Sequence, residues 1–163
     1  MKTAKPKIAD VTNMIFIDDG KILLGYKKRG FGKGKYNGFG GKPLENETLL
    51  AAAIREAREE SGLAVIDCYK AGIIDFGDSY LLRMHVYVAV KWSGSVLETE
   101  EMRPSWFPLG DIPYEKMWKD DRYWLPLVLQ GKKIKATFNF MNNDDTQGTD
   151  DNEIVDFVIS EVN

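Results

Sequence analysis

The chain has 163 residues, a formal net charge of −3 and a sequence pI of about 5.3. This acidic balance argues against a general nucleic-acid-binding surface, which needs clustered Lys and Arg. A lone cysteine (Cys68) and a lone histidine (His85) exclude a disulfide framework and a zinc site built from histidines. The sequence has no apolar run of roughly 18 residues and no signal-peptide core. We therefore expect a single domain over residues 1–163 with no nucleic-acid or membrane partner. We expect it in the cytoplasm, with the nucleus and the mitochondrial matrix left open.

The first part of the chain predicts a β-hairpin followed by an irregular segment. Residues 11–17 and 21–27 are rich in apolar and β-branched side chains, which favours strands. The intervening Asp18-Asp19-Gly20 is typical of a tight hairpin turn. Residues 30–41 are rich in glycine and aromatic side chains, and we expect no long element there.

Residues 49–60 predict an amphipathic helix. They contain no Gly or Pro, Thr48 can act as the N-cap, and Gly62 can end the helix in the left-handed conformation. At about 100° per residue, Glu56, Glu59 and Glu60 fall on one face. A neighbouring apolar face, which can pack inward, consists of Leu50, Ala53, Ile54 and Ala57.

The second half of the chain predicts more strands and a second helix. Strands are expected at residues 65–76 and 81–92, with a turn at 77–79, and at 103–109. A helix is expected at 120–130, with Asp120 as its N-cap, and a late hairpin at 134–140 and 154–159. The acidic segment between those two strands, NNDDTQGTDDNE, predicts a flexible loop. The economical fold class is α/β (α+β), a mixed sheet sandwiched between two main helices.

The three glutamates of the first helix form a candidate metal site. Carboxylates at i, i+3 and i+4 repel one another, and a divalent cation removes the repulsion. Oxygen-only ligands suit Mg²⁺, with Mn²⁺ as an alternative, and Mg²⁺ also bridges to substrate phosphates. Arg55, at the edge of this face, could hold Glu47 or another Glu in place. The plainer alternative is a solvated helix face laced with Arg–Glu pairs. The flanking Gly41, Glu47 and Gly62 favour the metal site, since Gly41 can bring a backbone carbonyl close.

The spacing from Gly41 to Leu63 reads G-x5-E-x7-R-E-U-x-E-E-x-G-U, where U is apolar. It resembles the metal-binding box of the Nudix family, enzymes that cleave nucleoside diphosphates linked to another group. Ala57 is smaller than the usual residue at its position. Three further segments resemble the animal MutT-homologue branch of that family, which hydrolyses oxidised purine nucleoside triphosphates such as 8-oxo-dGTP and 2-hydroxy-dATP. These segments are KKRGFGKGKYNGFGGK (27–42), EEMRPSWF (100–107) and MWKDDRYWLP (117–126).

The resemblance implies a Nudix fold, a monomer, and Mg²⁺-dependent hydrolysis to a nucleoside monophosphate and pyrophosphate that sanitises the nucleotide pool. It implies a metal-binding set of Gly40 (through its carbonyl), Glu56, Glu59, Glu60 and Glu101, with the four glutamates and Arg55 as catalytic residues. It implies that Asn37, Asp120 and Asp121 read the base edge and that Trp118 stacks on the base. The remaining implied substrate contacts are Thr12, Lys27, Phe31 and Phe76.

Each implied role has a plainer alternative. Asp120 and Asp121 could only cap a helix, Trp118 could be core, Asn37 could serve a turn, and Glu101 could face solvent. Three other functions also stay open at this point. The first is a Nudix hydrolase for another nucleoside diphosphate derivative. The second is a non-enzymatic module that binds oxidised bases, which the intact glutamate set disfavours. The third is an RNA-binding or decapping protein, which the acidic pI disfavours.

Overall fold

The computed structural model describes residues 8–77, 81–141 and 153–163. Its strands are β1 (Ala9–Asp18), β2 (Lys21–Lys27), β3 (Tyr36–Asn37), β4 (Leu63–Gly77), β5 (Leu82–Gly94), β6 (Met102–Pro108), β7 (Lys133–Phe140) and β8 (Ile154–Val162). Its helices are α1 (Leu49–Ser61), α2 (Asp121–Leu129) and a 3₁₀ turn at Tyr114–Lys116. The predicted turn residues Asp78 and Ser79, and the acidic segment except Glu153, lie outside the described residues.

The described strands form one mixed sheet in the order β3-β2-β1-β5-β4-β7-β8, with β6 pairing on β2. The pairs β1–β5 and β4–β7 are parallel, and the others are antiparallel. The predicted first hairpin is present, with positive φ at Asp19 (47°) and Gly20 (71°), as its tight turn requires. The predicted β7–β8 hairpin pairing is also present.

The sheet packs one helix on each face, as predicted. Ala53 and Ala57 of α1 are fully buried against Met14, Phe16 and Leu23. On the opposite face α2 packs its apolar side against the other half of the core. The α2 residues buried there are Trp124, Leu125 and Val128. Ala57 therefore alters packing volume and does not touch the glutamate face.

Helix α1 begins and ends where its capping residues predict. Thr48 Oγ1 accepts a hydrogen bond from Ala51 N at 3.1 Å, and Gly62 has φ 85°. The prediction for Leu50 was wrong, because this residue is 46% exposed. It lies in the first turn, before the helix reaches the sheet, so periodicity alone assigned it to the buried face.

One local prediction needs correction, and two short elements were not predicted. Asp120 occupies the N-cap position of α2 with helical φ and ψ, and its side chain makes no capping hydrogen bond. The segment 30–41 contains the short strand β3, which pairs Tyr36 with Tyr26, because the sheet edge captures two residues of an otherwise irregular loop. The 3₁₀ turn before α2 was not predicted. Within the described residues, neither helix combines the length and the apolar character needed to cross a membrane.

Candidate active site

The glutamate face of α1 borders a cleft that also receives residues from three other segments. We call this the carboxylate cleft. Its lining comprises Lys27, Arg29, Gly40, Gly41, Glu56, Glu59, Glu60, Thr99, Glu100 and Glu101. The fold therefore brings together the four glutamates and Gly40 that the resemblance implies as one metal-binding set. Glu101 comes from the segment before β6, which pairs with β2 and so lies next to Lys27.

Arg55 organises the outer part of this cleft. Its Nε and Nη2 donate to the two carboxylate oxygens of Glu47 at 2.8 and 2.9 Å. Its Nη1 donates to Glu56 Oε1 at 3.0 Å and to Glu59 Oε2 at 3.2 Å. The predicted Arg55–Glu47 contact is thus present, and the same guanidinium also links two glutamates of the metal-binding prediction.

Glu60 is the buried glutamate of the cleft, with 9% relative exposure. Its Oε1 accepts a hydrogen bond from Gly40 N at 2.8 Å. Burial raises the pKa of Glu60 to about 7, and the nearby charges of Glu56 and Glu101 add to the rise, against the Gly40 N–H and Lys27. A nearby cation would favour the ionised form.

Gly40 and Gly41 are required because other atoms pack closely against their Cα atoms, and not because their φ angles are positive. A Cβ on Gly40 would lie 1.7 Å from the Thr12 carbonyl oxygen, and one on Gly41 would lie 2.7 Å from the Glu56 carboxyl carbon. The Gly41 carbonyl already accepts from Thr12 N at 2.9 Å. The two glycines therefore fasten the loop to β1 while leaving the Glu56 carboxylate in contact with bare backbone.

A second cavity, of about 280 Å³, adjoins the cleft. We call it the apolar cavity. It is lined mainly by aromatic and aliphatic side chains and by a few polar groups. Its lining includes Val11, Thr12, Asn13, Ile15, Phe31, Asn37, Phe76, Leu82, Met84, Trp118, Asp120, Asp121 and Phe140. Lys27, Gly40, Gly41 and Glu60 line both the cavity and the cleft. A ligand could therefore extend from one into the other.

Two aromatic rings stand at the mouth of the apolar cavity. Phe31 and Trp118 are stacked, with ring centroids 5.1 Å apart and an interplanar angle of 30°. Lys35 Nζ lies 5.4 Å from the Trp118 ring centroid. Phe31 is 53% exposed, so it forms the outer edge of the wall that the sequence predicts. A flat apolar ligand could stack on these rings.

Two adjacent aspartates lie at the inner end of the cavity. Asp120 and Asp121 are 3% and 7% exposed. Trp124 Nε1 donates to Asp120 Oδ2 at 2.8 Å, and each of the two carboxyl groups shifts the pKa of the other. Burial raises the pKa of Asp120 to about 6 and that of Asp121 well above its ordinary value, which the charge of Asp120 increases further. The pair therefore favours states that retain a proton.

A NUDIX domain model matches residues 7–128 of the chain. The chain belongs to the Nudix family. It is 45% identical over 137 residues to the "Oxidized purine nucleoside triphosphate hydrolase" of Danio rerio, covering 82% of this chain and 88% of the relative. It is 46% identical over 136 residues to the Mus musculus protein of the same name, covering 82% and 87%. The MutT protein of Bacillus halodurans has a similar fold, with a TM-score of 0.76 and 24% identity, over 93% of this chain and 97% of that one.

These comparisons confirm the predicted family, the Nudix fold and the class of Nudix hydrolase. Nudix hydrolases generally need a divalent cation. In the part of the chain that the structure describes, no three acidic, histidine or cysteine side chains already form a cage for one. Each glutamate instead has another partner: Arg55 holds Glu56 and Glu59, the Gly40 N–H holds Glu60, and Arg29 Nε donates to Glu101 at 2.9 Å.

The donor set of the Nudix box nevertheless fits a hard divalent cation. All of the candidate ligands present oxygen, and the absence of a Cβ on Gly41 leaves the Glu56 carboxylate open on that side. Glu59 and Glu101 are 58% and 48% exposed, so packing does not fix their carboxylates. The contact of Glu101 with Arg29 is a surface ion pair, which a cation could replace.

Two residues near the site were missed from the sequence. Arg29 contacts Glu100 at 3.5 Å and Glu101 at 2.9 Å, and the sequence assigned it no specific role. Asn13 lines the apolar cavity from β1. Its signal was present in the sequence, because it is a polar residue in the middle of the apolar run VTNMIFI. His85 is buried between Lys70 Nζ at 2.8 Å and Asp10 Oδ1 at 2.9 Å.

Proposed function

We propose that this protein hydrolyses oxidised purine nucleoside triphosphates to the nucleoside monophosphate and pyrophosphate. The observation that carries the proposal is the continuity of the two sites. Lys27, Gly40, Gly41 and Glu60 line both the carboxylate cleft and the apolar cavity, so one nucleotide can place its phosphates in the cleft and its base in the cavity. The names of the Danio rerio and Mus musculus relatives support this substrate class.

On the base side, the cavity offers both stacking and edge recognition. Trp118 and Phe31 provide a flat apolar partner, and stacking of this kind contributes about 1–3 kcal/mol. Asn37 lines the cavity, and its amide carries both donors and an acceptor. Its Nδ2 is only weakly engaged, at 3.4 Å from the Lys35 carbonyl oxygen. Phe76, stacked against Phe140 with ring centroids 6.0 Å apart, forms part of the inner wall.

The Asp120–Asp121 pair is our candidate for recognising more than one oxidised base. Two carboxyl groups that share a proton can place it on either residue, and so present different donor and acceptor patterns to an oxidised guanine and an oxidised adenine. We expect Asp120→Asn and Asp121→Asn to change the ratio of rates on 8-oxo-dGTP and 2-hydroxy-dATP, and its pH profile. Unchanged ratios and profiles in both variants would refute this role.

On the phosphate side, the chain supplies charge and position. Lys27 borders both sites and can contact the phosphates or the sugar. Glu56, Glu59, Glu60 and Glu101, with the Gly40 carbonyl, are the proposed ligands of Mg²⁺. A cation held there would supply charge neutralisation for the triphosphate and a lowered pKa for the attacking water. Water attacks the β-phosphorus, and the bond between this atom and the oxygen that bridges the α- and β-phosphates breaks. The nucleoside monophosphate leaves with the bridging oxygen, and the other product is pyrophosphate. A glutamate of the cleft, Glu59, Glu60 or Glu101, accepts a proton from this water or orients the water for attack.

The decisive experiment compares hydrolysis of 8-oxo-dGTP, 2-hydroxy-dATP and dGTP with Mg²⁺, measured as pyrophosphate release. We expect kcat/KM for at least one oxidised nucleotide to exceed that for dGTP by tenfold or more, as expected when a buried polar group discriminates between bases. Comparable low rates of hydrolysis for all three nucleotides would refute the proposal. Rapid hydrolysis of another nucleoside diphosphate derivative, detected as release of phosphate or AMP and not of pyrophosphate, would indicate a different Nudix substrate.

A further inference from the structure

Asn13 has an unusual environment for the middle of a strand. It lies on β1 between Thr12 and Met14 and borders the apolar cavity with Val11 and Ile15. Its Oδ1 is buried and has no hydrogen-bond partner among the described residues. An unpartnered buried acceptor costs free energy, on the order of 1–3 kcal/mol. A leucine at this position would continue the apolar strand without that cost.

The amide has a defined orientation. Oδ1 packs on the Cα side of Gly38, where a Cβ would lie 1.9 Å from it. Nδ2 lies 3.6 Å from Met84 Sδ, which is a weak acceptor. The opposite orientation would place two acceptors, Oδ1 and Sδ, against each other. The amide nitrogen is therefore the polar atom of Asn13 that remains on the cavity side.

Asn13 is only half-buried, although Oδ1 is fully buried. The surface that this side chain shows to the cavity must then belong to its amide nitrogen and its carbon atoms. The same wall contains the apolar side chains of Val11 and Ile15, which flank Asn13 on the same side of β1. Nδ2 lies beside Met84 Sδ, and Asn13 and Met84 both line the cavity. A stronger acceptor on a ligand would displace that contact.

We infer that Asn13 is a specificity-determining residue whose amide N–H donates to a carbonyl oxygen of the bound nucleobase. The inference rests on the proposed function, since it requires a base in the apolar cavity. Carbonyl oxygens distinguish these bases, because guanine has one at C6 that adenine lacks and oxidation at C8 adds another to either base. A donor in this wall accounts for a polar residue that otherwise only destabilises the strand.

The test asks which carbonyl oxygen of the base Asn13 recognises. It measures the binding of four nucleoside monophosphates, which are not hydrolysed. They are dAMP with neither carbonyl, dGMP with the one at C6, 8-oxo-dAMP with the one at C8, and 8-oxo-dGMP with both. Calorimetric Kd values are compared for the wild type and Asn13→Leu. We expect Kd to rise about 5- to 30-fold for the two ligands that share the recognised carbonyl. For the other two, dAMP included, we expect a change below about twofold.

Val11→Ala is the matched control, because it changes the same wall without removing a donor. It should shift all four Kd values alike. Asn13→Ser serves as a second variant if the leucine variant does not fold, since it removes the amide and keeps a small polar side chain. The inference is overturned if either Asn13 variant changes the four Kd values by one common factor, or leaves all four unchanged. Failure of the proposed function would appear separately, as a wild-type enzyme without preference for oxidised triphosphates.

Discussion

Arg55 and Glu47 form a bidentate pair, with Nε–Oε2 and Nη2–Oε1 distances of 2.8 and 2.9 Å. The pairing lowers the pKa of Glu47 to about 2 and raises that of Arg55, so both stay charged throughout the working pH range. Because the same guanidinium also contacts Glu56 and Glu59, Glu47 anchors an arginine that orients two proposed metal ligands. Such supporting contacts commonly decide metal affinity.

We predict that Arg55→Gln weakens Mg²⁺ activation about 10- to 100-fold while leaving the fold intact. The measurement is the Mg²⁺ concentration that gives half-maximal rate at saturating nucleotide. Arg58→Gln is the control, since it removes the same charge from an exposed position in the last turn of the same helix. If both variants need equally more Mg²⁺, the effect is one of overall charge and Arg55 does not orient the ligands.

Glu60→Gln is predicted to lower kcat at least about 100-fold, because the proposed site loses a carboxylate. The variant should nevertheless be the more stable protein at pH 8. The pKa of Glu60 is raised to about 7, so its contribution to stability is complete below about pH 4.5 and is lost as pH rises through 7. Glutamine avoids this loss, which amounts to about 1–3 kcal/mol.

Urea unfolding at pH 5 and pH 8, with metal chelated, measures the Glu60→Gln effect. Glu45→Gln, in the exposed loop before α1, is the control and should change neither activity nor the pH dependence of stability. A Glu60→Gln enzyme with near-normal turnover would remove this residue from the catalytic set.

The buried aspartates predict a second pH effect. Burial raises the pKa of Asp120 to about 6 and raises that of Asp121 as well. The stability they provide in the protonated form is therefore complete below about pH 4 and is lost as pH rises through 6. We expect Asp121→Asn to lose less stability than the wild type between pH 5 and pH 8, by about 1–2 kcal/mol. Glu60 contributes equally to the pH dependence of stability in both proteins. The difference between them therefore reports on Asp120 and Asp121.

Asp111→Asn is the matched control for the aspartate prediction, because Asp111 is exposed and precedes the same helix. It should follow the wild-type curve in urea unfolding at each pH. Identical pH dependence in Asp121→Asn and wild type would mean that the pair is ionised without cost, and the proton-sharing role would lose its basis.

Gly40→Ala should destabilise the protein by more than about 3 kcal/mol or prevent folding, because a Cβ there would lie 1.7 Å from a backbone oxygen of β1. Gly110→Ala provides the control, since a Cβ at Gly110 meets nothing within 4 Å. Thermal unfolding of the two variants measures the contrast. A Gly40→Ala protein as stable as Gly110→Ala would show that the loop can move away from β1 at little cost.

Much of the molecule was determined by local sequence. Thr48 and Gly62 delimit α1 because capping depends on neighbouring residues, and the hairpin at Asp19-Gly20 follows from a turn that requires positive φ. The spacing of Glu56, Glu59 and Glu60 places them on one face through helix geometry alone. The resemblance to a family then indicated the candidate substrate-binding residues elsewhere in the chain, Asn37, Trp118 and Asp120. Their roles could not be inferred from residue spacing.

Tertiary structure decided what depends on contacts between segments distant in the chain. Helix periodicity assigned Leu50 to the core, but the position of the sheet leaves it exposed. Capping rules assigned Asp120 to the start of α2, but Trp124 and Asp121 engage its carboxylate, and burial raises its pKa. Asn13 became a candidate for recognising the base only when the fold placed Gly38 and Met84 on either side of its amide. Burial and partner geometry arise from the packed whole, so no pattern of neighbouring residues could have specified them.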